Sequence, residues 1–216
     1  MSTRRVIALI LFIPAIVAAA SLGWAAGAGR VPSEAVVRFV IDGDTIVLDT
    51  GEKVRYLGID APEKGHGGES SDCYGRKARK ANSGMVLGKK IMLRYDGEKH
   101  DRHGRLLAYV HAPDGTCVNV EQVKSGNAWI YTTPGRSEMF PELLKAQREA
   151  IGERRGLWGA CPVDPAPAYV ANRRSYVFHR PECRLGRKMS ARGRTRLPDR
   201  WSALSEGFHP CRVCRP

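Results

Sequence analysis

The sequence predicts a β-barrel with helices, an α+β fold: a five-stranded OB-fold barrel carrying helical insertions, followed by a small zinc-binding module. Three observations predict it. Three short runs rich in Val, Ile and aromatics are followed by a helical pattern and then two more strand-like runs. A Pro-rich spacer, Pro162-Val163-Asp164-Pro165-Ala166-Pro167, coincides with a shift in charge. Beyond it, His179-x3-Cys183 and Cys211-x2-Cys214 place four nitrogen and sulfur donors in one short segment.

The elements follow in order. Ala35–Ile41, Asp44–Asp49 and Lys53–Ile59 read as strands, with Thr50-Gly51-Glu52 as the turn between the second and third. Residues 61–72 form a Gly/Ser-rich loop. Tyr74–Leu87 reads as a helix with basic residues on one side. Lys89–Tyr95 and Arg105–His111 are the fourth and fifth strands. Val118–Lys124 is a short helix ending at Gly126. Ser137 caps a helix over Glu138–Glu153, where Met139, Leu143, Leu144 and Ala146 lie near helical spacing, and Gly156 ends it. The domains are therefore 30–161 for the barrel, 162–168 for the linker and 169–216 for the module.

Composition narrows the function. The chain has 216 residues, 43% of them hydrophobic, which allows a packed core and argues against global disorder. No Gly triplet and no sustained heptad supports a fibrous reading. Lys plus Arg number 35 against 22 Asp plus Glu, a net charge of +13, which favours polyanions such as nucleic acid or an anionic membrane surface. The excess sits at the C-terminal end, where 12 Lys/Arg face 3 Asp/Glu from Tyr169 onward.

Residues 1–29 read as an address or an anchor. Arg4-Arg5 is followed by 23 residues, Val6–Ala28, without a charge. A cleaved export signal fits, with Ala18-Ala19-Ala20 and Ala26-Gly27-Ala28 as small-residue cleavage positions. A retained membrane anchor fits the length too. Either way the remainder is expected outside the cytoplasm: secreted, periplasmic or at the cell surface.

Three acidic segments carry the chemistry: Asp42-Gly43-Asp44-Thr45, Asp60-Ala61-Pro62-Glu63 and Asp101-Arg102-His103-Gly104-Arg105. Singly, each is a polar loop. Together they supply carboxylates for a hard cation, a spare carboxylate and arginines. Through Ile41-Asp42-Gly43-Asp44-Thr45, Arg55, Asp60 to Glu63, Tyr74-Gly75, Asp101, Gly104 to Tyr109, Val118-Asn119 and Gly156-Leu157-Trp158, the chain resembles the staphylococcal nuclease (thermonuclease) family over about residues 35–160.

That resemblance implies an OB-fold barrel and a calcium-dependent phosphodiesterase acting on DNA and RNA. It implies that Asp44, Asp60 and the Ala61 carbonyl hold calcium and that Asp42 stands near bound water. Arg55 and Arg105 would bind phosphate, and Glu63 would activate the attacking water. Ala61 stands where the family often has Thr, so it keeps the carbonyl and loses a hydroxyl. The chemistry is coherent by itself. Calcium takes 6–8 oxygen ligands in loose geometry. Arginine's planar fork bonds two oxygens and stays charged. One strand cannot present both Arg55 and Asp60 on the same face, since five positions separate them; Gly58 is the expected break.

Six cysteines fall in two groups. Exported relatives often carry cysteines at the places of Cys73 and Cys161, which implies a disulfide between these two. Cys117 reads as a buried free thiol in preference to a disulfide partner. The C-terminal segment resembles the Ada-type metal-binding domain, with His179 where that family has its methyl-accepting cysteine. A structural zinc held by His179, Cys183, Cys211 and Cys214 is the expectation, with disulfide pairing as the alternative, and Arg173, Arg174, Arg184, Arg187, Arg192, Arg194 and Arg196 give a basic surface. The expectation is an exported or membrane-tethered nuclease, monomeric, with calcium and zinc. The competing class is a surface nucleic-acid binder whose barrel is catalytically inactive.

Overall fold

A computed structural model of the protein describes residues 31–65, 70–132, 135–163, 166 and 168–216. The signal-or-anchor reading of residues 1–29 lies outside the described residues. Among the described residues no helix is long and apolar enough to cross a membrane.

Strands β1 (Glu34–Val40), β2 (Thr45–Leu48), β3 (Lys53–Tyr56), β5 (Lys90–Arg94) and β6 (Leu106–His111) close a barrel in the order β1-β2-β3-β6-β5. All neighbours are antiparallel except β3 and β6, which run parallel with Arg55 opposite Leu107. This is the five-stranded Greek-key order of the OB fold. Period-two burial builds the interior: Val37, Ile46, Leu48, Val54, Ile91, Leu93 and Leu106 face inward and are buried. Between β3 and β5 comes helix α1 (Gly75–Val86); after β6 comes α2 (Val118–Lys124).

The third predicted strand is two pieces. β3 stops at Tyr56, and β4 (Ile59–Asp60) leaves the barrel to pair with β7 (Trp129–Ile130). Between them Gly58 adopts φ 77°, a left-handed conformation that glycine reaches without Cβ strain. Helix α3 (Phe140–Gly152) begins two residues later than the pattern implied. Pro141 sits in its first turn, where a missing N–H costs nothing. Ser137 is not the N-cap; its Oγ accepts the Met139 N–H in the preceding turn and meets the Tyr109 hydroxyl at 2.6 Å. Gly156 does not end α3; it precedes a short helix, α4 (Leu157–Ala160).

The C-terminal segment folds as a four-stranded sheet, β10 (Arg194–Leu197), β8 (Tyr169–Asn172), β9 (Val177–His179) and β11 (His209–Pro210), in that order. Short helices α5 (Arg184–Arg187) and α6 (Arg200–Ser205) flank it. Asp199 caps α6 by accepting the Ser202 N–H at 2.8 Å. The segment shares a hydrophobic core with the end of the barrel region: Leu157 and Trp158 pack in one cluster with Tyr169, Phe178, Leu204 and Phe208. Gln147 on α3, fully buried, donates to the Leu204 carbonyl at 2.6 Å. Cys73 and Cys161 form a disulfide with Cα atoms 5.8 Å apart, tying the loop before α1 to the end of α4. Cys117 is a free, half-buried thiol.

Candidate active site and metal centre

The site is built on two tight turns at the rim of the barrel. In the first, Asp42 Oδ1 accepts the backbone N–H of Asp44 at 2.9 Å, which aims the Asp44 carboxylate inward. Gly43 is required there, because a Cβ would stand 2.6 Å from the Ala61 Cβ. Asp44 Oδ2 then accepts the Ala61 N–H at 2.6 Å, locking the two acidic segments together. The second turn is the break at Gly58. It brings Asp60 under Arg55, whose Nη1 reaches the Ile59 carbonyl at 2.7 Å and Asp44 Oδ2 at 3.0 Å, and whose Nη2 reaches Asp60 Oδ1 at 2.5 Å.

Helix α2 braces both turns. Gln122 donates to the Gly43 carbonyl at 2.5 Å, and Asn119 donates to the Leu57 carbonyl at 2.9 Å. Both amides are fully buried, so each satisfies a loop carbonyl that water cannot reach. Sequence reading singled out Asn119 only as part of a motif and missed Gln122; three-residue spacing on a short helix was the available signal.

Glu63 is exposed at the cleft and held by its backbone. Its N–H donates to Asp72 Oδ2 at 3.2 Å and its carbonyl accepts the Asp72 N–H at 2.9 Å. A Cβ on Gly75 would clash with the Glu63 carbonyl, so glycine permits this close approach. Asp101 organises Arg105: Oδ1 accepts the N–H groups of His103 and Arg105 at 2.8 and 3.0 Å, and Oδ2 accepts Arg105 Nε at 2.7 Å.

Asp44, Arg55, Asp60, Ala61, Glu63 and Arg105 all line one cleft of about 710 Å3. Burial dominates the electrostatics of the acids there. Burial pushes the Asp44 carboxyl up to about 6; Arg55 opposes this and Asp42 adds to it. Burial raises Asp60, against the pull of Arg55. Partial desolvation raises Glu63, helped by the charges of Asp44 and Asp60. Paired aspartates with hard oxygen donors suit calcium. The cleft also holds residues that the motif did not flag: Arg212, Arg215 and Arg200, all from the C-terminal segment.

The second cluster is apart in chemistry. His179, Cys183, Cys211 and Cys214 bring one ligand atom each to within 4.8 Å of one another. A tetrahedral zinc with Zn–S near 2.3 Å sets donor separations of about 3.8 Å, so one nitrogen and three sulfurs fit with a small contraction. His179 turns Nδ1 towards Cys183 Sγ at 3.5 Å. Backbone N–H groups of Arg180 and Val213 point at Cys214 Sγ and Cys211 Sγ, at 3.5 and 3.4 Å, as suits thiolates.

A closed OB barrel with aspartates and arginines meeting at its rim defines a class of barrel protein equipped for a cation and an anion together. Within that class the chain belongs to the staphylococcal nuclease family: residues 53–160, half of the chain, match the family described as "Staphylococcal nuclease homologue". An uncharacterized endonuclease of Escherichia coli O157:H7 is 39% identical over 138 residues, spanning 62% of this chain and 81% of the relative. The thermonuclease of Staphylococcus intermedius is 33% identical over 126 residues, 57% of this chain and 74% of the relative. Endonuclease YncB of Bacillus subtilis is 35% identical over 138 residues, 62% of each chain.

Proposed function

We propose that the protein is a calcium-dependent nuclease that hydrolyses phosphodiester bonds of DNA and RNA. One observation carries the reading: Asp44, Arg55, Asp60, Glu63 and Arg105, drawn from separate loops and strands, line a single cleft. The endonuclease and thermonuclease names of its relatives support it. Asp44, Asp60 and the Ala61 carbonyl hold the calcium. When bound, calcium supplies Lewis-acid polarisation and charge neutralisation at a phosphoryl oxygen.

The residues divide the remaining work. Arg55 is anchored at the cleft floor by two carboxylates, and Arg105 is steered by Asp101, so both guanidinium groups are set before substrate arrives. They bind the phosphate and stabilise the charge that grows on its oxygens; losing one such group costs about 2.7–4 kcal/mol in comparable sites. Glu63, pinned through its backbone by Asp72 at the cleft, is the carboxylate left to take a proton from the attacking water.

In the same reading the His179, Cys183, Cys211 and Cys214 cluster holds a structural zinc, its donor set akin to the Ada-type domain, with no methyl transfer because histidine occupies the accepting position. The N-terminal segment exports or tethers the enzyme, and the folded part acts as a monomer outside the cytoplasm. Incubation of the full chain with single-stranded DNA or RNA, in calcium or in chelator, tests the proposal. Cleavage in calcium and none in chelator supports it; tight binding with no cleavage in calcium identifies an inactive binder.

A further inference from the structure

We propose that Arg212 is a third substrate-binding arginine of the cleft, which grips a phosphate flanking the scissile one and is delivered by the turn between Cys211 and Cys214. The inference rests on the nuclease reading above. Arg212 Nη2 donates to Asp60 Oδ1 at 2.7 Å, across a sequence separation of 152. Its guanidinium also stacks on the Tyr131 ring, 4.3 Å from the centroid. The stem is fixed: the Cys211 N–H donates to the Phe178 carbonyl at 3.0 Å and the Arg215 N–H to the Cys211 carbonyl at 2.9 Å.

The Arg212 side chain is 60% exposed while Asp60 is 12% exposed. An ion pair with one partner this open adds little stability. It does leave the side chain, which lines the cleft, largely open to an incoming ligand. Arg55 and Arg212 both bond Oδ1 of Asp60. A carboxylate offers about four lone-pair sites, so Arg212 and a cation can share Asp60. Arg55 is buried and Arg212 is exposed in the same cleft, so a strand whose scissile phosphate meets Arg55 leaves Arg212 open to a neighbouring phosphate. The cleft lining also includes Arg200, whose Nε is buried without a hydrogen-bond partner, and Arg215, 3.4 Å from Asp72. Three arginines from the C-terminal segment thus add positive charge to the cleft that holds Arg55 and Arg105.

The test uses the full chain and its Arg212→Ala and Arg212→Lys variants. Substrates are a single-stranded DNA dodecamer and bis(p-nitrophenyl) phosphate, a lone diester with no flanking phosphate. Arg212→Ala is expected to raise KM for the dodecamer about tenfold, as for one lost charged contact, with a several-fold smaller loss on the lone diester. The slope of log affinity against log salt should fall by about 0.7, the value for one single-strand phosphate contact. Arg212→Lys should recover part of both. Dodecamer anisotropy in a Glu63→Gln background, with and without Arg212→Ala, reads binding without hydrolysis, so it decides the point even if the wild type proves inactive. Unchanged KM and salt slope would overturn the proposal. So would a gain in activity or a lower calcium requirement in Arg212→Ala, which would make Arg212 a plug.

Discussion

Arg55 and Asp60 lie five positions apart, yet Nη2 of the first meets Oδ1 of the second at 2.5 Å. A continuous strand would send them to opposite faces. The contact exists because Gly58 turns left-handed and hands the chain from the barrel to a separate two-stranded ribbon. A Cβ at Gly58 would also stand 2.9 Å from Leu143 Cδ1. Gly58→Ala should therefore cost about 1–3 kcal/mol of stability and lower kcat/KM by swinging Asp60 off Arg55. Urea denaturation and a cleavage assay check both; a variant as stable and active as wild type would contradict the role of the turn.

Arg105 depends on Asp101 for its aim. The carboxylate takes the Arg105 backbone N–H and its Nε together. Asp101→Ala is expected to reduce kcat/KM about a hundredfold, the scale for a catalytic group displaced by an ångström, with little change in melting temperature. Asp101→Asn, which keeps acceptor oxygen, should recover part of the rate. Equal losses in both variants, accompanied by unfolding, would assign Asp101 to stability instead.

Calcium binding should weaken in acid. Burial lifts Asp44 to about 6, and Asp60 and Glu63 move in the same direction. Metal ligands must be deprotonated, so an ion entering this site below that value must displace a proton. The calcium dissociation constant is expected to rise about tenfold for each pH unit below about 6 and to level off above it. Titration calorimetry at several pH values reads this; an affinity flat from pH 5 to 7.5 would contradict it.

The disulfide and the proposed zinc have separable signatures. The Cys73–Cys161 bridge spans 88 residues, so Cys73→Ser with Cys161→Ser should lose about 4–5 kcal/mol in the chain-entropy model. Metal analysis of the purified chain should find one zinc per molecule, lost in Cys214→Ser together with a drop in melting temperature. A chain without zinc whose stability ignores Cys214→Ser would remove the metal from the account.

The parts legible in the sequence are those whose signal is local. Gly58 marks the break by its type alone, whereas Asp44, Asp60 and Glu63 sit in turn motifs that are singly plain polar loops and gain meaning from the resemblance that joins them. The first three barrel strands show because they are rich in Val and Ile, and the other two because apolar runs follow the helix. The start of α3 was misplaced because Ser137 is a good cap residue, while Pro141 and the hydroxyl bond to Tyr109 decided otherwise. Arg212 was illegible as a cleft residue. Nothing near Cys211 in sequence encodes a partner 152 positions away; the packing of Leu157 and Trp158 with Phe178 and Leu204, and the Gln147 bond to Leu204, tie the two parts together.

The most direct measurement of the central claim is the initial rate of single-stranded DNA cleavage at saturating calcium, for the wild-type chain beside Glu63→Gln. The account predicts calcium-dependent cleavage by the wild type and a rate lower by about a hundred- to ten-thousandfold in the variant, the span of a lost general base. Equal rates in the two proteins would contradict it.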